Sequence, residues 1–174
     1  MNNRGPLHNG LNFVLFQAGW LVCVVYPGPV AVVSAMLILA LHLGVISRSP
    51  MGEARFILIG TLLGTLLDGL WFRAGLLVCP EGQPLWIPLW LVALWALFMT
   101  TLCHSLAWLG EHRSLMVALP PFAGPFAYWS AAKLGAVTLP EPTISLIAIG
   151  LGWLVLFPLL MVVRQHTVRE DALV

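Results

Sequence analysis

Charge is what this chain has least of. Only 9% of its 174 residues are Asp, Glu, Lys or Arg, where a soluble domain carries about a quarter. That scarcity excludes a water-soluble enzyme and a disordered chain. A net charge of +1 leaves no basic field to hold phosphates, so nucleic acid is excluded as a partner. Three cysteines, Cys23, Cys79 and Cys103, without a CxxC pair, exclude a disulfide-stapled scaffold and the usual thiol-redox motif. HExxH, GxSxG and clustered histidine boxes are also missing, which argues against common metalloproteases, serine hydrolases and membrane di-iron oxygenases.

What is present is hydrophobicity, 60% of the residues, in long runs. One bilayer crossing takes about 20 apolar residues, so the chain has room for six crossings and little else. Runs bounded by polar or Pro/Gly punctuation fall near 11–26, 30–47, 55–78, 85–109, 115–137 and 143–163. They predict an all-α, polytopic transmembrane helix bundle over 1–174 as a single domain, with the lipid bilayer as its first partner. The first run lacks a small-x-small cleavage site and is interrupted by Gln17 and Trp20, so it reads as an uncleaved helix. With the N-terminus inside, Arg4, Arg48, Arg55, Arg113, Arg164 and Arg169 gather in cytoplasmic segments. Arg73 and Lys133, near the outer helix ends, can snorkel outward. The positive-inside rule then places both termini in the cytoplasm. Cys23 and Cys79 fall near the outer face, as a disulfide or as two small apolar residues.

Helices in lipid associate through close backbone approach and polar contacts. Gly60-x-x-x-Gly64 and the Ala127, Ala131, Gly135 series are read as packing faces. Pro120, Pro121 and Pro125 should kink or break the fifth helix. Trp86, Trp90, Trp108 and Trp129, near span ends, fit an aromatic belt.

Polar groups in hydrocarbon are functional candidates. Here they are Asn12, Gln17, His42, Asp68, Thr100, Thr101, His104, Ser105 and Tyr128. Counted inward from the cytoplasmic ends at about 1.5 Å per residue, Gln17, His42 and His104 share a depth of about 6–9 Å. Thr101, His104, Ser105 and Trp108 take one face of the fourth helix. A pocket opening toward the cytoplasmic leaflet follows if those faces converge; otherwise the groups are interhelical glue. Asp68 lies about 20 Å deep, at the level of Tyr128, with Trp153 somewhat nearer the cytoplasm. A metal site from His42, His104 and Asp68 would need two histidines and a carboxylate at one depth, so no metal is expected. Arg73, five residues on, faces away from Asp68. The stretch from Asp68 to Arg73 matches the opening of the CDP-alcohol phosphotransferase signature but lacks its further aspartates. The echo of 19–22 in 152–155 links first and sixth helices, not the first and fourth that a three-plus-three transporter repeat requires.

Taken together, NFVLFQAGW (from Asn12), His42 within ALHLG, Asp68 downstream of GTLLG, TTLCHSLAWL (from Thr100) and AGPFAYWSAAKLGAV (from Ala123) resemble a bacterial inner-membrane family, domain-of-unknown-function family 2878. The likeness runs from about Asn12 to Val163. Many members carry Asn where this chain has Cys103. The resemblance transfers no activity and no cofactor, but it implies association with genes for membrane-lipid modification.

The leading expectation is thus a role in membrane-lipid metabolism or modification, with a lipid as the substrate, through a polar pocket in the cytoplasmic half. His104 and His42 are acid–base candidates, because imidazoles as a class exchange protons near neutral pH. Asn12, Gln17, Thr101, Ser105 and Tyr128 would bind the ligand, Gln17 orienting it, and Asp68 would anchor the pocket floor. The rivals are a small proton-coupled carrier using Asp68 and a non-catalytic partner subunit. Oligomeric state is left open.

Overall fold

In the computed structural model, residues 4–80, 82 and 86–169 are described, with the side chains of residues 4, 5 and 169 left aside. Among them the chain is all helical: α1 (Arg4–Val25), α2 (Pro29–Leu41), α3 (Pro50–Arg73), α4 (Leu89–Cys103), α5 (Arg113–Ala118), α6 (Pro120–Lys133) and α7 (Pro142–Arg169). A π turn, His42–Ile46, prolongs α2, and a 3-10 turn, Ala107–Glu111, follows α4. Proline opens α2, α3 and α6, where its fixed φ suits the first turn and its missing N–H is no loss. α4 packs against α1, α2 and α3, while α7 packs against α3 and α6.

Four segments are long and apolar enough to cross a membrane: Pro6–Val25, Pro29–Ile46, Pro50–Arg73 and Pro142–Val168. α3 shows why such a bundle belongs in lipid. Leu58, Leu62, Leu66 and Leu70 are 54–63% exposed along one face, whereas Glu53, Gly60, Gly64 and Asp68 are buried on the other. An exposed apolar stripe of this length marks a surface that avoids water.

The predicted boundaries need correction. α1 starts seven residues before the expected Leu11 and α3 five before the expected Arg55. Short polar residues at these ends were read as loop, although Pro50 at the first turn of α3 is a helix-start signal. The expected start of the fourth span, Leu85, lies outside the described residues, as do the side chains of Arg4 and Arg169. At its other end α4 stops at Cys103 rather than Leu109. His104 leaves helical geometry (φ −130°, ψ −91°), so Ser105 and Trp108 do not continue the helical face of Thr101. The Arg164 guanidinium donates to the carbonyls of Leu102 (3.0 Å) and Ala107 (3.2 Å), which satisfies backbone acceptors that the break frees.

The proline-rich segment breaks at Leu119, between α5 and α6, while Pro125 stays inside α6. The buried face of α6 is Gly124, Tyr128 and Ala131, not the predicted Ala127, Ala131 and Gly135 series. The helix ends at Lys133, and Gly135 lies beyond it with φ +87°. Gly60 and Gly64 do form the close packing face. A Cβ on Gly60 would run into the Met99 side chain, and one on Gly64 into the Trp95 ring. Gly64→Ala should therefore destabilise the bundle by about 1–3 kcal/mol through overpacking, read as a lower unfolding midpoint in detergent. A midpoint equal to the parent's would show that the α3–α4 contact is loose.

At one end of the bundle the backbone of Val78 pairs with Thr138, and the Ser145 hydroxyl donates to the Leu76 carbonyl (2.8 Å). Arg73 there lies over the Trp86 ring and Lys133 over Trp129, an interfacial use of Trp that the sequence suggested. No disulfide joins the described cysteines. The opposite end carries the polar groups described next.

Candidate functional site

Three helical segments deliver one cluster. His42 opens the π turn, where Ser47 N–H donates to the His42 carbonyl (2.8 Å), five residues back. Such wide turns recur at functional sites because they displace a side chain from the regular helical register. Glu53 projects from the first turn of α3, and His104 from the residue at which α4 unwinds. His42 Nε2 lies 2.9 Å from Glu53 Oε2. His104 Nε2 lies 3.1 Å from Oε2 and 3.2 Å from Oε1 of the same carboxylate. The two imidazoles meet edge to face with centroids 4.9 Å apart. Relative exposures of 1% (His42), 3% (Glu53) and 8% (His104) place the group inside the protein.

A second layer holds the cluster. Asn12 Oδ1 accepts from the Ser105 hydroxyl (2.7 Å) and the Ser105 backbone N–H (3.3 Å). Its Nδ2 donates to Thr100 Oγ1 (3.0 Å) and lies 3.4 Å from His42 Nδ1. The Thr100 hydroxyl in turn donates to the Leu97 carbonyl (2.7 Å). α1 is thereby tied to the broken end of α4 and to the outer edge of His42. Buried polar networks are favourable only when their members are satisfied, and each of these side chains has a partner.

Asp68 stands apart from this centre. Fifteen residues beyond Glu53 on the same helix, about 22 Å along the axis, it accepts from Trp95 Nε1–H (2.7 Å) and from the Tyr128 hydroxyl (2.5 Å). Tyr128 is the partner expected from its depth; Trp95 was missed, because an indole among Leu and Val reads as packing. Trp153, also weighed for Asp68, stacks on Trp95 with centroids 5.4 Å apart, and its Nε1–H is buried without a hydrogen bond among the described residues.

Trp95, Tyr128 and Trp153 also line a cavity of about 520 Å³, whose other walls include Phe16, Trp20 and Phe98. It lies along α4, between α1 and α6. Gln17 is here, on the cavity wall, and not with the histidines. The depth count placed it wrongly because α1 begins earlier than its apolar run; Asn12 occupies the histidine level instead. Thr101 is buried, but its hydroxyl bonds back to the Phe98 carbonyl (2.7 Å) and reaches none of the other candidates.

The structure thus brings together His42, His104, Asn12, Ser105 and Thr100, and leaves Asp68 with Tyr128, Gln17 and Thr101 elsewhere. Glu53 is the residue that sequence reasoning missed. It falls between the predicted runs 30–47 and 55–78, although Pro50 three residues before it marks a helix start that carries it inward. With Glu53 the centre acquires what Asp68 was too deep to give, a carboxylate between two imidazoles. That set can exchange protons or hold a metal ion.

No curated protein and no solved structure matches the chain. One family model does, "Protein of unknown function (DUF2878)", over residues 9–159, a span that includes Asn12, His42, Glu53, Asp68, His104 and Tyr128. The chain therefore belongs to the DUF2878 family.

Proposed function

We propose that this protein acts in membrane-lipid metabolism or modification, with its chemistry at the His42–Glu53–His104 centre. The observation that carries the reading is the convergence of two imidazoles and a carboxylate, from three helical segments, in the interior of a bundle whose outer faces are apolar. A substrate for such a centre arrives from the bilayer more readily than from water. His104 and His42 are the proton-exchanging groups, Glu53 aligns both rings, and Asn12, with Ser105, positions His42. The aromatic-walled cavity has the size of a small-molecule site and a lining suited to an acyl chain.

The same reading places six crossings in the bacterial inner membrane, formed by α1, α2 with its π turn, α3, α4, α5 with α6, and α7, as a single domain over 1–174. Both termini are cytoplasmic in this reading. Arg48, Arg55 and Arg113 border the segments that carry the centre, and Arg164 caps the broken end of α4 beside it, as the positive-inside rule favours for a cytoplasmic side.

The test compares lipid extracts of a deletion strain and its parent, then complements the deletion with parent protein or His104→Ala at equal expression. The expected result is an altered lipid profile restored by the parent and not by His104→Ala. An unchanged profile on deletion would overturn the reading.

Asp68 supports a second reading, a proton-coupled carrier. It is fully buried and bonded to two residues of the cavity wall. A carrier would give liposome flux that depends on a pH gradient and is lost in Asp68→Asn.

A further inference from the structure

We propose that His42, Glu53 and His104 form a two-histidine, one-carboxylate site for a divalent first-row transition metal ion. The proposal deepens the reading of this centre as the reactive one and rests on it for the metal's purpose, though not for its binding. One potential ligand atom from each residue lies within 4.8 Å of the others. Imidazole nitrogen and carboxylate oxygen are the donors that Zn²⁺ and Fe²⁺ use, with open positions left for a substrate or water.

The spacing fits. Ligands at about 2.1 Å from an ion lie about 3.0 Å apart at octahedral angles and about 3.4 Å at tetrahedral ones. The nitrogen–oxygen separations here are 2.9, 3.1 and 3.2 Å. These lengths also suit hydrogen bonds, and a carboxylate oxygen accepts two of them readily, so the donor set and its closeness carry the proposal. Both Nε2 atoms address the same oxygen, Oε2, and His104 Nε2 is nearly equidistant from the two carboxylate oxygens. Two imidazoles and a carboxylate, each with one ligand atom within 4.8 Å of the others, form a set that one ion can bridge. A dication would also offset the carboxylate charge inside the bundle.

The surroundings supply an outer layer. A metal-bound histidine donates its second ring N–H to an oriented acceptor. Asn12 stands at that position beside His42 Nδ1, and its 3.4 Å contact is the longest in the network. Turning the Asn12 amide over would present Oδ1 to Nδ1–H and Nδ2 to the Ser105 hydroxyl, at the cost of the 3.0 Å bond to Thr100 Oγ1 and the 3.3 Å bond from Ser105 N–H. Ser47 Oγ, buried beside Glu53, offers a further oxygen to a water on the ion.

The experiment uses the full chain in detergent, freed of any affinity tag and treated with chelator, then titrated with Co²⁺ and followed by visible d–d absorption. The expected result is saturation at one Co²⁺ per chain, displaced by Zn²⁺. The bands should vanish in Glu53→Gln and His42→Ala and persist in Asp68→Asn, whose carboxylate is remote. Absence of bands in the parent, or equal bands in a folded Glu53→Gln checked by circular dichroism, would overturn the proposal and leave a purely hydrogen-bonded triad. Co²⁺ binding together with an unchanged lipid profile would keep the metal site and sink the lipid reading. The converse pair would do the opposite.

Discussion

Replacing Glu53 by alanine is expected to destabilise the protein by about 3–5 kcal/mol, the penalty for removing one partner from a buried ionic cluster. Among the described residues, the carboxylate is the group that both histidine Nε2 atoms reach. Without it, two ring nitrogens face each other across a gap inside the bundle, and the π turn, the start of α3 and the end of α4 lose their common tie. Glu53→Gln keeps the volume and one acceptor oxygen and should fold with a smaller loss. Unfolding midpoints in detergent for both variants check this. Equal midpoints for parent and Glu53→Ala would mean that the cluster holds nothing together.

The second large effect is expected at Asp68. Asp68→Ala deprives Trp95 Nε1–H and the Tyr128 hydroxyl of their acceptor, about 1–3 kcal/mol for each donor left unsatisfied, and it opens a void between α3, α4 and α6. Asp68→Asn retains one acceptor oxygen and nearly the same shape, so it should express and fold where alanine fails. A Trp71 ring packed edge to face on Tyr128, with centroids 5.6 Å apart, would loosen along with the tyrosine. Tryptophan fluorescence during unfolding therefore gives the readout. Full yield and an unchanged midpoint for Asp68→Ala would remove this residue from consideration as an anchor.

Much of this architecture is legible from composition, because hydrocarbon admits few alternatives to helices. The apolar runs locate the helices, and the Gly60/Gly64 step identifies the α3 face that receives Met99 and Trp95. Counting along the helices puts His42 and His104 at one depth, and the structure brings their rings together. Helix ends were harder. An apolar run marks the part of a helix in lipid, while α3 begins before it and carries Glu53 in its first turn. That polar turn holds the common partner of the histidines, so the residue that completes the centre is one that hydropathy passes over. The unwinding of α4 at His104 carries no local signal in TTLCHSLAW; it is stabilised by Arg164, some sixty residues away. Gln17 is misplaced because α1 begins about two helical turns before its apolar run.

A double-mutant cycle on Glu53→Ala and His104→Ala measures whether Glu53 and the histidines act as one unit. Stability is determined for the parent, both single variants and the double variant in the same detergent. The expected coupling energy is above about 1 kcal/mol, as for residues sharing one network. Additivity within about 0.5 kcal/mol, the behaviour of separated sites, would contradict it.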